Sequence, residues 1–515
     1  MITPDRVIQS ARGALERPFR NHHEAALAEP APAASDAWWV SDERWFTADF
    51  APREGNRLTP LIDGEHALKA MYEAVAAARV SVYLSAWFAS PPMPMVRQDG
   101  QPEPTRMTVL PGRVRKPLPP EAPGGPDALC ALLARKAENV DVRVLLWPGS
   151  IAGKFRAGVV RRVQRAFLQA NPRLRCRVDT RRHPRHCQHQ KALVVDGRVA
   201  FVGGLDVTDF DIDRWDTQAH RWRAGLNWHD CHMRIEGPLV ADVTRNFTQR
   251  WNANAPHDPA PEGPPPPPVT DGVAGQIVRT LPRRVYPFAH RGVYGIYHAY
   301  HDAIQSAERF IYLESQYLWS PEITEALCDA LRRPRTGAFA LVLVLPGHPN
   351  VGKADTDKHV KELLEADAGR GVLGVYTLYT WTHRQHRKRL AYQPIYVHAK
   401  VGVVDDTWCT VGSANLNGRG MATDAEMNVI TTDSAVARDL RVGLWAEHLA
   451  CPPQEITAAD PVEVLTGRWR AAAQANAVRL DQKTEGLPCA LMPYPLGKVD
   501  ADWGWGELEM GLLDR

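Results

Sequence analysis

A chain of 515 residues with 44% hydrophobic and 23% charged residues has the composition of a globular protein, large enough for two or three domains or one two-lobed body, and this excludes a disordered chain. The 62 Lys and Arg against 59 Asp and Glu leave a formal charge of +3, too near neutral for a nucleic-acid binder, which carries a clearly basic domain or stripe. The local clusters RRHPRH (181–186), RRPR (332–335) and HRQHRKR (383–389) read as solvated faces. The 8 Cys include no CxxC pair and read as reduced thiols in a non-oxidising compartment. No signal peptide is expected from the start, MITPDRVIQSARGALERPFR, and no membrane span from FALVLVL (339–345). The expected location is cytoplasmic, or outside the cell through a signal-independent secretion system, with peripheral membrane contact.

In chain order, residues 1–60 form an N-terminal extension and residues 61–252 a first lobe. There EAVAAARVSVYL (73–84) predicts a helix running into a strand, and VDVRVLLWPG (140–149) a buried strand that meets a loop. Between them the Pro- and Gly-rich stretch 89–126 reads as a rim or lid, or equally as a surface excursion. Five consecutive prolines make residues 253–272 an extended linker. The second lobe, 273–450, repeats the order: DAIQSAERFIYL (302–313) aligns without gaps on 73–84, and FALVLVLPG (339–347) matches 140–149. Residues 451–515 are a C-terminal tail with one predicted helix at 467–480. Alternating helix and strand in each half predicts an α/β fold of two similar lobes, each a mainly parallel or mixed sheet flanked by helices and related by a pseudo-two-fold axis.

Each half contains one copy of a short motif: HQKALVVDG (189–197) and HAKVGVVDD (398–406), 398 − 189 = 209 residues apart. The β-branched residues around Asp-Gly predict a two-residue hairpin. His189 and Lys191, and likewise His398 and Lys400, are two residues apart and so share one face of a strand. An ammonium that neutralises phosphoryl oxygens beside an imidazole that attacks or moves a proton suits phosphoryl chemistry. Asp196 and Asp405 complete the two sets of catalytic candidates. At the turn and on the opposite parity, Asp196 is better placed to hold the hairpin or a neighbouring cation than to touch substrate. Each Asp is followed by six residues and then a small pair, Gly203 and Gly204 or Gly412 and Ser413.

HxKxxxxD followed by Gly-Gly or Gly-Ser, present twice, resembles the signature of the phospholipase D superfamily. GGLDVTDFDIDRWDT (203–217), NWHD (227–230), YLESQYLWSP (312–321) and GSANLNGRG (412–420) are more similar to its phospholipid-hydrolysing branch than to its nucleases or cardiolipin synthases. The resemblance implies one active site between the lobes, with His189 as nucleophile and His398 as general acid, or the reverse. It also implies that Lys191, Lys400, Ser413 and Asn415 grip the phosphoryl oxygens, that Asp230 and Glu426 each orient one imidazole, and that no metal or cofactor is needed. Asp206 stands where the second half has Asn415, so the two halves are expected to bind phosphate unequally.

Two other patterns carry less. GHPNVGKA (347–354) nearly spells a phosphate-binding loop but ends on Ala354, where a hydroxyl is required. Cys176, His183, His186, Cys187 and His189 have no familiar zinc spacing. The expected reaction is hydrolysis of phosphatidylcholine or phosphatidylethanolamine to phosphatidic acid and the free alcohol at a membrane surface, with no nucleic-acid partner. A cardiolipin synthase-type transfer is the alternative, followed by a nuclease and then a non-catalytic scaffold. Nothing in the pattern speaks for or against self-association.

Overall fold

The structure, a computed structural model, describes residues 50–97, 124–149, 157–181, 187–208, 214–222, 227–384, 389–483 and 485–497, and two short strands at 109–110 and 113–114. The first half runs β1 (Arg53–Ile62), α1 (Asp63–Ala77), β2 (Ser81–Ala86), α2 (Leu129–Lys136), β3 (Asp141–Leu146), α3 (Ala157–Ala170), β4 (Arg175–Val178), β5 (Ala192–Val195), β6 (Val199–Gly203), β7 (Asn227–His229), β8 (Cys231–Glu236) and α4 (Val240–Asn254). The second runs β9 (Val273–Leu281), α5 (Gly295–Ser306), β10 (Phe310–Glu314), α6 (Pro321–Arg332), β11 (Ala340–Val344), α7 (Lys353–Asp367), β12 (Leu373–Arg384), β13 (Arg389–Val397), β14 (Val401–Val404), β15 (Trp408–Gly412), β16 (Glu426–Thr431) and α8 (Ser434–Leu449).

The strand order of the first sheet is β1-β8-β6-β5-β2-β3-β4. That of the second is β9-β16-β15-β14-β10-β11-β12, element for element the same. Each sheet is mixed for a local reason. β2, β3 and β4, like β10, β11 and β12, are joined through helices and pair in parallel. The motif strands are joined by tight turns and pair antiparallel. In the first turn Asp196 and Gly197 both have positive φ, 55° and 62°; Asp405 and Asp406 repeat this at 54°. That is the conformation a tight hairpin needs. Three residues, 196–198, separate the paired Val195 and Val199, one more than the expected two.

Side-chain parity divides the core. Val82 and Leu84 on β2 face outward to α1, α2 and α3, where Leu68, Met71, Leu132 and Phe167 wait. Ile311 and Leu313 on β10 do the same toward α5, α6 and α7. The alternate residues, Tyr83 in one sheet and Phe310 and Tyr312 in the other, turn inward to one shared core with Phe247 and Trp251 of α4 and Leu444 and Trp445 of α8. The halves also join by backbone: β1 pairs antiparallel with β9, and β7 pairs in parallel with β13. A boundary at residue 60 therefore cuts through β1, whose pairing begins at Arg53. Most of the expected rim at 89–126 lies outside the described residues.

The described residues of the tail, 451–483 and 485–497, pack onto the second lobe. Leu491–Pro493 adds an antiparallel strand to β12. Trp469, fully buried, packs its ring edge-on to Tyr312, Tyr376 and Trp445 at 5.4–5.7 Å. Removing a buried indole costs about 3–5 kcal/mol. Trp469→Ala is accordingly expected to lower the urea midpoint of unfolding by that equivalent, whereas truncating exposed Val478 is expected to leave it in place.

Candidate active site between the halves

His189 and Lys191 stand immediately before β5, and His398 and Lys400 immediately before β14, so each pair leads into its strand where it had been expected within it. Each motif is stitched to the opposite half. The His189 amide donates to the Ala425 carbonyl at 3.0 Å, and the His398 amide to the His229 carbonyl at 2.8 Å.

The side chains cross over in the same way. His189 Nδ1 lies 2.9 Å from Glu426 Oε1 and 3.1 Å from the Ser413 carbonyl. His398 Nδ1 lies 2.6 Å from Asp230 Oδ2. An imidazole whose Nδ1–H is held by a carboxylate presents a free lone pair at Nε2, the orienting arrangement of a catalytic triad. The two supporting carboxylates are therefore exchanged between the halves.

Small residues make this fit. Gly204 follows the first motif at the position of Ser413 in the second. A Cβ there would come 2.1 Å from Asp230 Oδ1, so only glycine leaves that carboxylate in place. Ser413, expected to hold substrate, donates its hydroxyl to Glu426 Oε2 and accepts from the Met427 amide at 3.0 Å; its part is to hold the carboxylate. Asp230 also accepts from the Cys231 amide at 2.9 Å and from Trp228 Nε1 at 3.3 Å. The Trp228 ring sits 4.6 Å from that of His398, with the Arg214 guanidinium over Trp228 at 4.3 Å from the ring centroid. Trp228 and Arg214 were missed as site residues, although NWHD and DRWDT offered the signal. Trp87, stacked on Trp147 at 5.4 Å, brings its ring to 6.3 Å from His189.

Lys191 and Lys400 are both buried, and their ammonium groups reach back to the carbonyls of His189 and His398. They differ in charge partner. Lys191 lies 3.1 Å from Asp206 Oδ2, whose Oδ1 also accepts the Trp87 and Phe88 amides. Lys400 has no carboxylate within salt-bridge distance among the described residues. Burial, reinforced by Lys191, draws its pKa down to about 7 against the pull of Asp230. Asn415, the counterpart of Asp206, is buried with its Oδ1 free of any hydrogen bond.

Burial holds both imidazoles well below their ordinary range. For His189 the charges of Lys191 and Lys400 add to the effect; for His398 Lys400, Arg214, Lys191 and His189 itself do. Burial also pushes Asp230 up to about 7 and Glu426 well above the usual carboxylate range. Every one of these shifts opposes separated charge among buried groups. An incoming anion beside the two lysines reverses the balance for the rings.

Asp196 and Asp405 stand outside this pocket, and their place in the catalytic set is corrected. Asp196 accepts the Arg79, Val80 and Ser81 amides at 2.7–3.1 Å, and Asp405 those of Glu308, Arg309 and Phe310 at 2.6–2.9 Å. Each pins the start of the adjacent strand, β2 or β10, to the motif hairpin, because three converging N–H groups need one anionic acceptor. Lys353 of the near-P-loop is buried against Asp357 and the Pro495 carbonyl. His183 and His186 lie outside the described residues. Groups able to surround a metal ion lie behind the pocket, around His229.

A family model described as "Cardiolipin synthase, PLD-like domain" matches residues 300–446. Phospholipase D alpha 4 of Arabidopsis thaliana is 25% identical over 73% of this chain, which spans 62% of that relative's length. Phospholipase D alpha 1 of Oryza sativa subsp. japonica is 24% identical over 85% of this chain and 71% of its own. Among solved structures, a phosphatidylserine synthase from Haemophilus influenzae aligns with a TM-score of 0.49 at 12% identity, over 83% of this chain and 95% of its own. Residues 300–446 thus carry a PLD-like domain, and over most of its length the chain is similar to phospholipases D.

Proposed function

We propose that the protein is a phospholipase D, cleaving the distal phosphodiester of phosphatidylcholine or phosphatidylethanolamine to phosphatidic acid and the free head-group alcohol. The observation that carries the reading is the crossed pair of imidazoles, His189 on Glu426 and His398 on Asp230, with both lysines acting on one pocket. His189 Nε2 attacks phosphorus as the bond to the head-group oxygen breaks. His398 gives that oxygen its proton. Water then loses a proton to His398 and attacks phosphorus, breaking the P–N bond and freeing phosphatidic acid. Lys400 and the Asn415 amide meet the charge that grows on the non-bridging oxygens, with Lys191 already half-neutralised by Asp206. No helix among the described residues is long and apolar enough to cross a membrane, and the substrate is taken from a vesicle surface. An alcohol in place of water gives phosphatidyl transfer, a reading favoured by the description of the family model over the second half.

The assay that tests this offers vesicles of defined head group with and without glycerol or phosphatidylglycerol, and duplex DNA in parallel. Release of choline or ethanolamine supports hydrolysis, formation of a new phosphatidyl ester supports transfer, and cleavage of DNA alone overturns both. His189→Ala and His398→Ala are each expected to lower turnover about a thousandfold or more with unchanged circular dichroism; near wild-type hydrolysis by either contradicts the two-histidine mechanism. Asp196→Ala and Asp405→Ala are expected to behave oppositely. Loss of charge-assisted hydrogen bonds worth about 1.5–3 kcal/mol lowers the melting temperature by several degrees, while kcat/KM stays within about threefold.

The pH behaviour follows from the same pocket. Burial and two ammonium groups disfavour imidazolium, so NMR titration of the substrate-free protein is expected to place both ring midpoints below 6.5. Vanadate, a tetrahedral oxyanion, offsets the lysines and is expected to raise at least one midpoint. A midpoint above 6.5 in the free protein would contradict the buried two-lysine pocket.

A further inference from the structure

One residue before Asp230, and outside the chemistry above, lies a second group of buried ionisable side chains: Asp63, His220, His229 and Glu447, drawn from the β1–α1 junction, the segment before β7, β7 itself and α8. All four are buried, with side chains no more than 4% exposed. His220 Nε2 is 2.9 Å from Glu447 Oε1, His229 Nδ1 is 3.1 Å from the same oxygen, and His229 Nδ1 is 3.0 Å from Asp63 Oδ1. We propose that these four residues bind one first-row divalent metal ion, zinc by preference, as a closed site that ties the two halves together behind the candidate active site.

Three observations carry this. First, the distances are short but the contacts are mostly not hydrogen bonds. His220 Nε2, Asp63 Oδ2 and both Glu447 oxygens are buried and make none. His229 Nδ1 and Asp63 Oδ1 do form a hydrogen bond, but one ligand atom from each of the four residues lies within 4.8 Å of all the others. Metal–ligand bonds of about 2.0–2.2 Å set tetrahedral donors roughly 3.3–3.6 Å apart, a few tenths of an ångström wider than the 2.9–3.1 Å contacts here, so the four side chains need only a small outward shift to admit an ion. Second, the far nitrogen of each ring is held by a different carboxylate: His220 Nδ1 by Asp216 at 3.1 Å, and His229 Nε2 by Glu314 at 2.8 Å. That outer hydrogen bond is what fixes a ligating imidazole's tautomer. Third, Asp63 adopts φ 62°, a strained conformation for a non-glycine residue that persists where its side chain is needed in one place. The neighbouring group of His229, Glu314 and His448 does not compete, because Glu314 already makes hydrogen bonds to both rings.

Two imidazoles and two carboxylates, all four buried, make a structural site, suited to zinc. The site backs onto the chemistry: the Asp63 amide donates to the Asp230 carbonyl, the Asp230 amide to Asp63 Oδ1, and the His229 carbonyl receives the His398 amide.

The experiment is elemental analysis of the full-length protein, expressed in zinc-supplemented medium and purified without a metal-affinity step. Wild type and His189→Asn are expected to retain about one equivalent per chain after gel filtration, and Glu447→Ala and His220→Ala less than about a fifth. X-ray absorption at the metal edge is expected to report N/O donors including two imidazoles. Stripping wild type with a strong chelator is expected to lower the melting temperature, and Zn²⁺ to restore it. Wild-type protein without a stoichiometric first-row metal, and with no melting shift on adding Zn²⁺, overturns the proposal even if every variant misfolds. So does a full equivalent retained by folded Glu447→Ala. Neither result bears on the phospholipase reading.

Discussion

Each half of this protein orients the other half's histidine. Glu426, at the start of β16 in the second sheet, holds His189 of the first, and Asp230, just ahead of β8 in the first, holds His398 of the second. Neither half alone supplies both an imidazole and its carboxylate, and so the pairs form only when the two fold as one body. It does so through a core in which inward residues of both sheets share α4, α8 and Trp469. Pairing of β1 with β9 and β7 with β13 sets the register of that union. The second pairing matters most for the site, since β7 ends on His229, whose carbonyl takes the His398 amide.

A duplicated scaffold does not give duplicated halves of a site. Where the second half has Ser413 bracing Glu426, the first has Gly204 making room for Asp230. Where the first has Asp206 neutralising Lys191, the second has Asn415 and leaves Lys400 without an ion pair among the described residues. A buried ammonium with no counter-ion is costly, and in the proposed reaction an anionic diester would supply the missing charge. The same burial that depresses Lys400 disfavours charge on the rings, so on the proposed mechanism binding and activation would be one electrostatic event.

Much of this was legible in the residues. The ungapped match of 73–84 with 302–313 carried the repeat, and the strand orders of the two sheets coincide as it implies. The small pair after each motif marked the pocket. Asp230 and Glu426 were found by position, but their exchange between halves was not, because it arises from how two sheets meet edge to edge and from no local pattern. Asp196 and Asp405 show the opposite failure. Membership of a motif suggested chemistry, while a turn with left-handed φ and three nearby amides assigns them to the hairpin. Ser413 likewise looked like a phosphate ligand until the depth of Glu426 was known. The cluster around His229 had no sequence signal at all, since its four members span residues 63 to 447 and share no spacing.

A crystal structure of the protein soaked with vanadate tests most directly whether a single phosphorus centre is gripped between the halves. The account predicts one vanadium centre per chain, bonded to Nε2 of one of His189 and His398 and with an oxygen in hydrogen-bond reach of Nε2 of the other, Lys400 beside it. Two separate ions, or one that touches only a single imidazole, would contradict it.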